Sequence, residues 1–427
     1  MFLRLLFITA ISLILSLALA QAQDMTWEPP YRGDDPDLLY LPDTKATYWR
    51  YGWTRKPGDT TGFVISGQTP DARYFSYNVY DDDIKASLGS FTDFQIKSDD
   101  GGINPFKGSG DGSKSNYKIY ILPEGTETNF DNVLYFPDDL TNVSVFLRHY
   151  VAKNNIQGNA PLPKIEQFNT KTMTASPAAM SSKIPAISKQ EVQKYLIPML
   201  KKMVNHFEQD PEAMIKKLAS RRTGEALDIK ELVASQVVAK TFNLFETSDT
   251  YHSLRFQTAG TYPNQDNYYL GLPIIRKKEQ SLLVRFKVPQ VAKTMADYPD
   301  VDVRYYSLSQ GDEHSYTHGT IMDSEMQTDH EGFANFIISD DTPEVRAKAK
   351  DMGVNFMPWK VGNKMLLIYR HMLPNSNFEF GINNVPSFVH DQSAEDQYAY
   401  KTIGSYAMSG KLVETSSVFD MTLFPEF

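Results

Sequence analysis

Along much of the chain hydrophobic and polar positions alternate with a period of two, the mark of strands that turn one face to a core. Arg73 to Tyr80 is the clearest case: Arg73, Phe75, Tyr77 and Val79 fall on one face and Tyr74, Ser76, Asn78 and Tyr80 on the other. Similar runs at Gly62 to Ile65, Ser144 to Tyr150, Ser281 to Val288 and Met365 to Tyr369 are bounded by Gly, Pro, Asp or Asn. Many short strands with such punctuation predict sandwich or jelly-roll lobes rather than a parallel sheet. In the middle of the chain the period becomes helical. Ser188 with Glu191 forms a capping box, and Val192, Tyr195, Leu196, Met199, Leu200, Met203, Val204 and Phe207 recur on one face, with a bend expected at Pro198. Asp210-Pro211 starts a second helix and Asp228 with Glu231 a third. The stretch from Thr170 to Ser182, rich in Thr, Ser, Ala and Met, reads as a flexible linker.

The two β-rich halves repeat one another. Pro42, Asp43 and Tyr48 answer to Pro263, Asn264 and Tyr269, and Arg73-Tyr74-Phe75-Ser76 answers to Arg304-Tyr305-Tyr306-Ser307. Gly89, Ser90 and Asp93 answer to Gly319, Thr320 and Asp323; Tyr117 to Leu122 answers to Ala334 to Ser339. Asn132 and Pro137 answer to Asn355 and Pro358, and Arg148-His149 answers to Arg370-His371. The common order and near-matching gaps imply a duplicated domain. The expected fold is a β-rich α+β chain: two duplicated antiparallel sandwich or jelly-roll-like lobes joined by a helical segment. Its expected divisions are a signal peptide at 1–22, a first lobe at 23–160, a linker at 161–187, the helical segment at 188–247 and a second lobe with a long tail at 248–427.

The signal-peptide expectation rests on Arg4, the apolar run from Leu5 to Leu19 and the small residues around Ala20 and Ala22. That run is short for a membrane span, which needs about 20 apolar residues, so the chain is expected in the periplasm or outside the cell, without an integral span after cleavage. It has no cysteine, which excludes thiol catalysis and thiolate metal sites. A net charge of −9 offers no basic surface for nucleic acid. The 24 Tyr and 25 Phe suit strands, where aromatic rings pack well.

Pro263-Asn264, Asp266-Asn267, Tyr269, the Arg-Tyr-aromatic-Ser strand, Asn355-Phe356-Met357-Pro358, and Arg370 with Pro374 resemble the bacterial exported families known as domains of unknown function 1254 and 1214. The resemblance is scattered over most of the chain after residue 22. Phe356 stands where those families suggest tryptophan, and the tail beyond His371 is extra. The resemblance implies β-rich lobes and an extracytoplasmic location, and brings no catalytic residues with it.

Candidate chemistry is sparse. No Gly-x-Ser-x-Gly elbow, His-Glu-x-x-His pair, phosphate loop or dinucleotide fingerprint is present. His314, His318 and His330, with Asp312, Glu313 and Asp323 nearby, are the candidate divalent-metal ligands; the alternative is solvated loop histidines. Arg73 and Arg304 are candidates for clamping an anionic ligand. The alternative is that Arg73, Asp93 and Arg148, and likewise Arg304, Asp323 and Arg370, form buried polar networks. Tyr48, Trp49 and Trp53 are candidates for stacking on a sugar if exposed, and core if buried. The leading expectation is an extracytoplasmic binding or structural protein for an unknown small molecule or glycan, with a cleft between the lobes. The rival is an exported enzyme with a metal or polar site in the second lobe.

Overall fold

The computed structural model describes residues 26–35, 38, 41–83, 85–107, 114–181, 250–256, 262–292, 297, 300–312, 316–389 and 392–427. The expected signal peptide and helical segment lie outside the described residues. The first lobe contains β1 (Tyr31–Arg32), β2 (Ala46–Thr54), β3 (Thr61–Gln68), β4 (Ala72–Asp81), β5 (Ala86–Thr92), β6 (Asn116–Pro123), β7 (Val133–Phe136), β8 (Asn142–Ala152), β9 (Lys164–Asn169) and β10 (Thr174–Pro177). The second contains β11 (Thr250–His252), β12 (Leu254–Arg255), β13 (Asn267–Ile275), β14 (Gln280–Lys287), β15 (Tyr305–Gly311), β16 (Thr317–Met322), β17 (Phe333–Ser339), β18 (Asn355–Pro358), β19 (Lys364–Met372) and β20 (Ser409–Glu414). Helices α1 (Pro343–Asp351), α2 (Tyr400–Ile403) and α3 (Thr415–Asp420) accompany the second lobe.

The strand orders make the duplication explicit. β1-β2-β8-β4-β5 in one lobe matches β12-β13-β19-β15-β16 in the other, and β10-β9-β3-β6-β7 matches β11-β20-β14-β17-β18. Each lobe is thus a sandwich of two five-stranded sheets, and even the parallel pairs β6 with β7 and β17 with β18 recur. Asn132 and Asn355 do the same work in both copies. Each side-chain amide bonds two backbone carbonyls, those of Lys97 and Lys118 in one lobe and Gln327 and Asn335 in the other.

One sequence boundary moves, and the expected tail takes on a role. The expected linker at 161–187 contains β9 and β10, which pair with each other and with β3 inside the first lobe. The expected tail of the second lobe is no appendage, because it supplies β20 between β11 and β14. β9 and β20 are the same strand of the repeat. The second copy merely inserts a longer excursion before it, whose Phe378, Ile382, Val385 and Ile403 close one side of the core.

Alternation decides what each strand face meets. In the first lobe Trp49, Tyr51 and Trp53 pack with Phe63, Ile65, Phe75, Tyr77, Val79, Ile119 and Ile121 between the two sheets. The other face of β2 carries Tyr48, Arg50 and Gly52. Arg50 is buried and paired with Glu28 and Asp82, and its guanidinium lies over Gly52 so closely that a Cβ there would overlap it. Gly52→Ala is therefore expected to push Arg50 off its two carboxylates and cost about 2 kcal/mol or more, read as a lower urea midpoint with an unchanged slope.

Candidate functional site

The largest concentration of buried charge lies on the seam where the sheet β1-β2-β8-β4-β5 meets its counterpart. Arg73 and Arg304 open the equivalent strands β4 and β15, and Asp93 and Asp323 follow the equivalent strands β5 and β16. Their ion pairs are exchanged between the lobes. Arg73 Nη1 lies 2.5 Å from both oxygens of Asp323, whereas Arg304 Nη2 reaches the oxygens of Asp93 at 3.3 and 3.4 Å. Arg304 Nε also donates to the Arg73 carbonyl at 3.1 Å. Each aspartate is anchored in its own lobe by the backbone N–H of Phe75 or Tyr306. Burial pushes the Asp93 carboxyl up to about 6, and the rather distant Arg304 only partly opposes this.

A second exchange involves the segments that precede β2 and β13. Asp43 reaches across to the second lobe, where its Oδ2 accepts from Tyr305 (2.8 Å), Ser307 (2.9 Å) and Arg370 Nη1 (2.5 Å). The corresponding segment of the second lobe lies on the first: Tyr74 donates to Asp266 at 2.6 Å and lies 3.1 Å from Asn264 Oδ1, and Tyr80 donates to the Pro263 carbonyl at 2.6 Å. Ala46, Tyr74, Tyr150, Tyr305 and Met372 form an apolar cluster shared by the two lobes. The seam is therefore an approximate twofold interface built from one domain used twice.

The sequence had grouped these arginines and aspartates within each copy. The residues are the right ones, but the partners belong to opposite copies. Arg304 is buried and Arg73 half-buried, both engaged across the seam, so neither stands open as an anion clamp. Trp49 and Trp53 are 1% and 7% exposed and belong to the first lobe's core, which leaves them no face for a sugar. Tyr48 is half-buried, its ring edge-on to Tyr150 and its hydroxyl accepting from the Asp43 N–H.

The metal expectation divides. His318 Nε2 lies 2.7 Å from Asp312 Oδ2, both part-buried, while His330 is exposed and Asp323 is held by Arg73. His314 lies outside the described residues. Among the described residues no three His, Asp or Glu side chains are grouped to hold an ion.

His149 and His371, equivalent in sequence, are both buried against aromatic rings: Trp49 and Phe75 around the first, Tyr369 and Phe378 around the second. Desolvation lowers them to about 4 and about 3, so both are neutral. His149 Nδ1 faces the Ile156 carbonyl and must carry a proton; His371 Nδ1 faces the Ile382 N–H and must accept. The same residue thus adopts opposite tautomers in the two copies.

Away from the seam, the first lobe has an open groove of about 340 Å³ where the ends of β3, β6 and β9 meet. Ser66, Gln68, Asp99, Asn116 and Lys164 give it polar groups, and Tyr117, Pro161 and Leu162 an apolar wall. Gly67 is needed there, because a Cβ would strike the Tyr117 ring. No sequence motif pointed to this groove, whose residues come from separate strands.

No family model matches the sequence, and comparison with curated proteins finds no match. Among solved structures, the chain is similar to an uncharacterized protein from Burkholderia cenocepacia, at 9% identity and TM-score 0.51, over 92% of this chain and 84% of that one. A protein from Vibrio parahaemolyticus aligns over 90% of this chain and 92% of its own at 14% identity, with a TM-score of 0.39. The first likeness supports the β-rich two-lobed fold. Among the described residues no helix is long and apolar enough to cross a membrane.

Proposed function

We propose that this chain is an extracytoplasmic binding or structural protein of the kind suggested by its resemblance to the domain of unknown function 1254 and 1214 families. The two lobes act as one body, and a small polar ligand such as a saccharide occupies the first-lobe groove rather than the seam. The observation that carries this reading is the reciprocal exchange of ion pairs, which engages the seam charges with one another. The groove instead gathers the Gln68 and Asn116 amides, the Ser66 hydroxyl, the Asp99 carboxylate and the Lys164 ammonium, itself bonded to Glu166, a mixed polar lining of the kind that fixes the orientation of a polar ligand. Titration calorimetry against a panel of neutral oligosaccharides tests it. Binding is expected to weaken at least tenfold in Asn116→Ala and Lys164→Ala variants that melt like the parent; a parent that binds no member of the panel sinks the saccharide assignment.

A second reading rests on the His318–Asp312 pair, a part-buried imidazole beside a carboxylate in the second lobe. As an enzyme, the protein would use His318 as a general base, and His318→Ala would abolish turnover without changing ligand affinity in the first-lobe groove.

A further inference from the structure

The contacts across the seam recur with the lobes exchanged. Arg73 pairs with Asp323 and Arg304 with Asp93. Tyr305 donates to Asp43 and Tyr74 to Asn264. The Thr44 N–H donates to Thr320 Oγ1 at 3.2 Å, and at the equivalent place Ser90 donates to Gln265 Oε1 at 2.9 Å. Such an interface is isologous: the face that each lobe presents matches the face that it receives.

Each lobe keeps its main core to itself. The first lobe's runs from Trp27 to Ile165 and the second's from Tyr251 to Leu412, and no residue belongs to both. The seam carries the smaller cluster of Ala46, Tyr74, Tyr150, Tyr305 and Met372 amid its polar contacts. The covalent connection between the lobes runs through residues 182–249. At about 3.3 Å per residue, that length of chain can reach a second molecule.

We infer that the seam is an exchangeable interface whose partner is a second copy of this chain: the first lobe of one chain closes on the second lobe of another, and reciprocally. Each closed body keeps the contacts of the single chain, so concentration, rather than contact energy, sets the choice between one chain and two. Unlike lobes pair. Two second lobes would set Asn264 before Arg370 and leave that buried guanidinium without the carboxylate that Asp43 supplies from a first lobe.

Charge reversal in the full chain tests this. Arg73 meets Asp323, and Lys45 meets Glu325 at 2.5 Å. One variant carries Lys45→Glu and Arg73→Glu, the other Asp323→Lys and Glu325→Lys. Within either chain the seam then sets like charges together, whereas between the two chains both seams set opposite charges together. Each variant refolded alone from urea is expected to give little dimer. An equimolar mixture is expected to give mostly a species of twice the chain mass, containing both variants, by size exclusion with light scattering. A mixture that stays monomeric, or as much dimer from each variant alone, overturns the inference. Should either variant fail to fold, tagged and untagged parent chains refolded together decide. Capture on the tag is expected to retain at least about tenfold more untagged chain after refolding at about 100 µM than at about 1 µM. The retained chain should persist through native dilution, because its release requires two seams to open. No retention, or loss on dilution, refutes the exchange.

Discussion

Asp43→Ala is expected to be the most damaging single substitution in the molecule, lowering stability by about 3–5 kcal/mol. Asp43 is fully buried and accepts from Tyr305, Ser307 and Arg370 at once. Removing it leaves the Arg370 guanidinium buried without a counter-charge and two hydroxyls without an acceptor. Burial works against the charge of Arg370, but Asp43 and the surrounding tyrosines outweigh it and hold its pKa above the ordinary arginine value. The double variant Asp43→Ala, Arg370→Met is expected to recover a large part of the loss, because it removes the stranded charge as well as its partner. Lys97 and Asp131 form an exposed pair at 2.5 Å, and Asp131→Ala is expected to change stability by less than about 1 kcal/mol. Urea unfolding of these variants measures all three. A loss at Asp43 no larger than at Asp131 would show that the seam is not what holds the lobes together.

This exchange marks where sequence reasoning stopped. The repeat was legible because its landmarks are polar residues with positional jobs. Arg73 and Arg304 open a strand, Asp93 and Asp323 end one, and Asn132 and Asn355 tie loops to the edge of a sheet. Their partnership was not legible. Arg73 and Asp93 sit close in sequence and read as a pair, yet Arg73 reaches Asp323 and Arg304 reaches Asp93. A duplicated domain that associates about a twofold axis puts each residue nearest the other copy's equivalent surface, and nothing in a single chain distinguishes that from pairing within a copy.

The aromatic segment before Arg55 is legible as core. Trp49, Tyr51 and Trp53 alternate with Arg50 and Gly52, so one face had to be core. The misread linker has another cause. Thr174 to Pro177 forms an exposed edge strand of small and polar residues, and such a strand carries no hydrophobic alternation by which to recognise it. The groove on the first lobe left no trace in the sequence because pocket-lining residues share a place and no period.

Acid is expected to weaken the fold well before its carboxylates are generally protonated, and the two equivalent histidines are the reason. Desolvation depresses His149 to about 4 and His371 to about 3 from an ordinary 6.5, so the unfolded chain takes up these protons first. The stability from keeping both rings neutral is complete above pH 6.5 and is lost as pH falls toward 4 and then 3. At pH 4 the loss is about 3 kcal/mol for each ring. Asp93 works the other way. Its carboxyl is raised to about 6 by burial, so the folded protein binds that proton more readily and gains about 2 kcal/mol by pH 4. Asp266, also raised by burial, adds in the same direction. The net expectation is a loss of up to about 4 kcal/mol between pH 7 and pH 4. Urea midpoints at pH 7, 5 and 4 should fall in that order. His371→Gln is expected to remove about three-quarters of the fall while costing stability at pH 7, where the Ile382 N–H loses a well-placed acceptor. Asp93→Asn is expected to steepen the fall, because a seam carboxylate that gains from acid has been removed. A parent whose midpoint stays level to pH 4 would mean that both rings reach solvent, against the packing of Trp49 and Phe75 on one and of Tyr369 and Phe378 on the other.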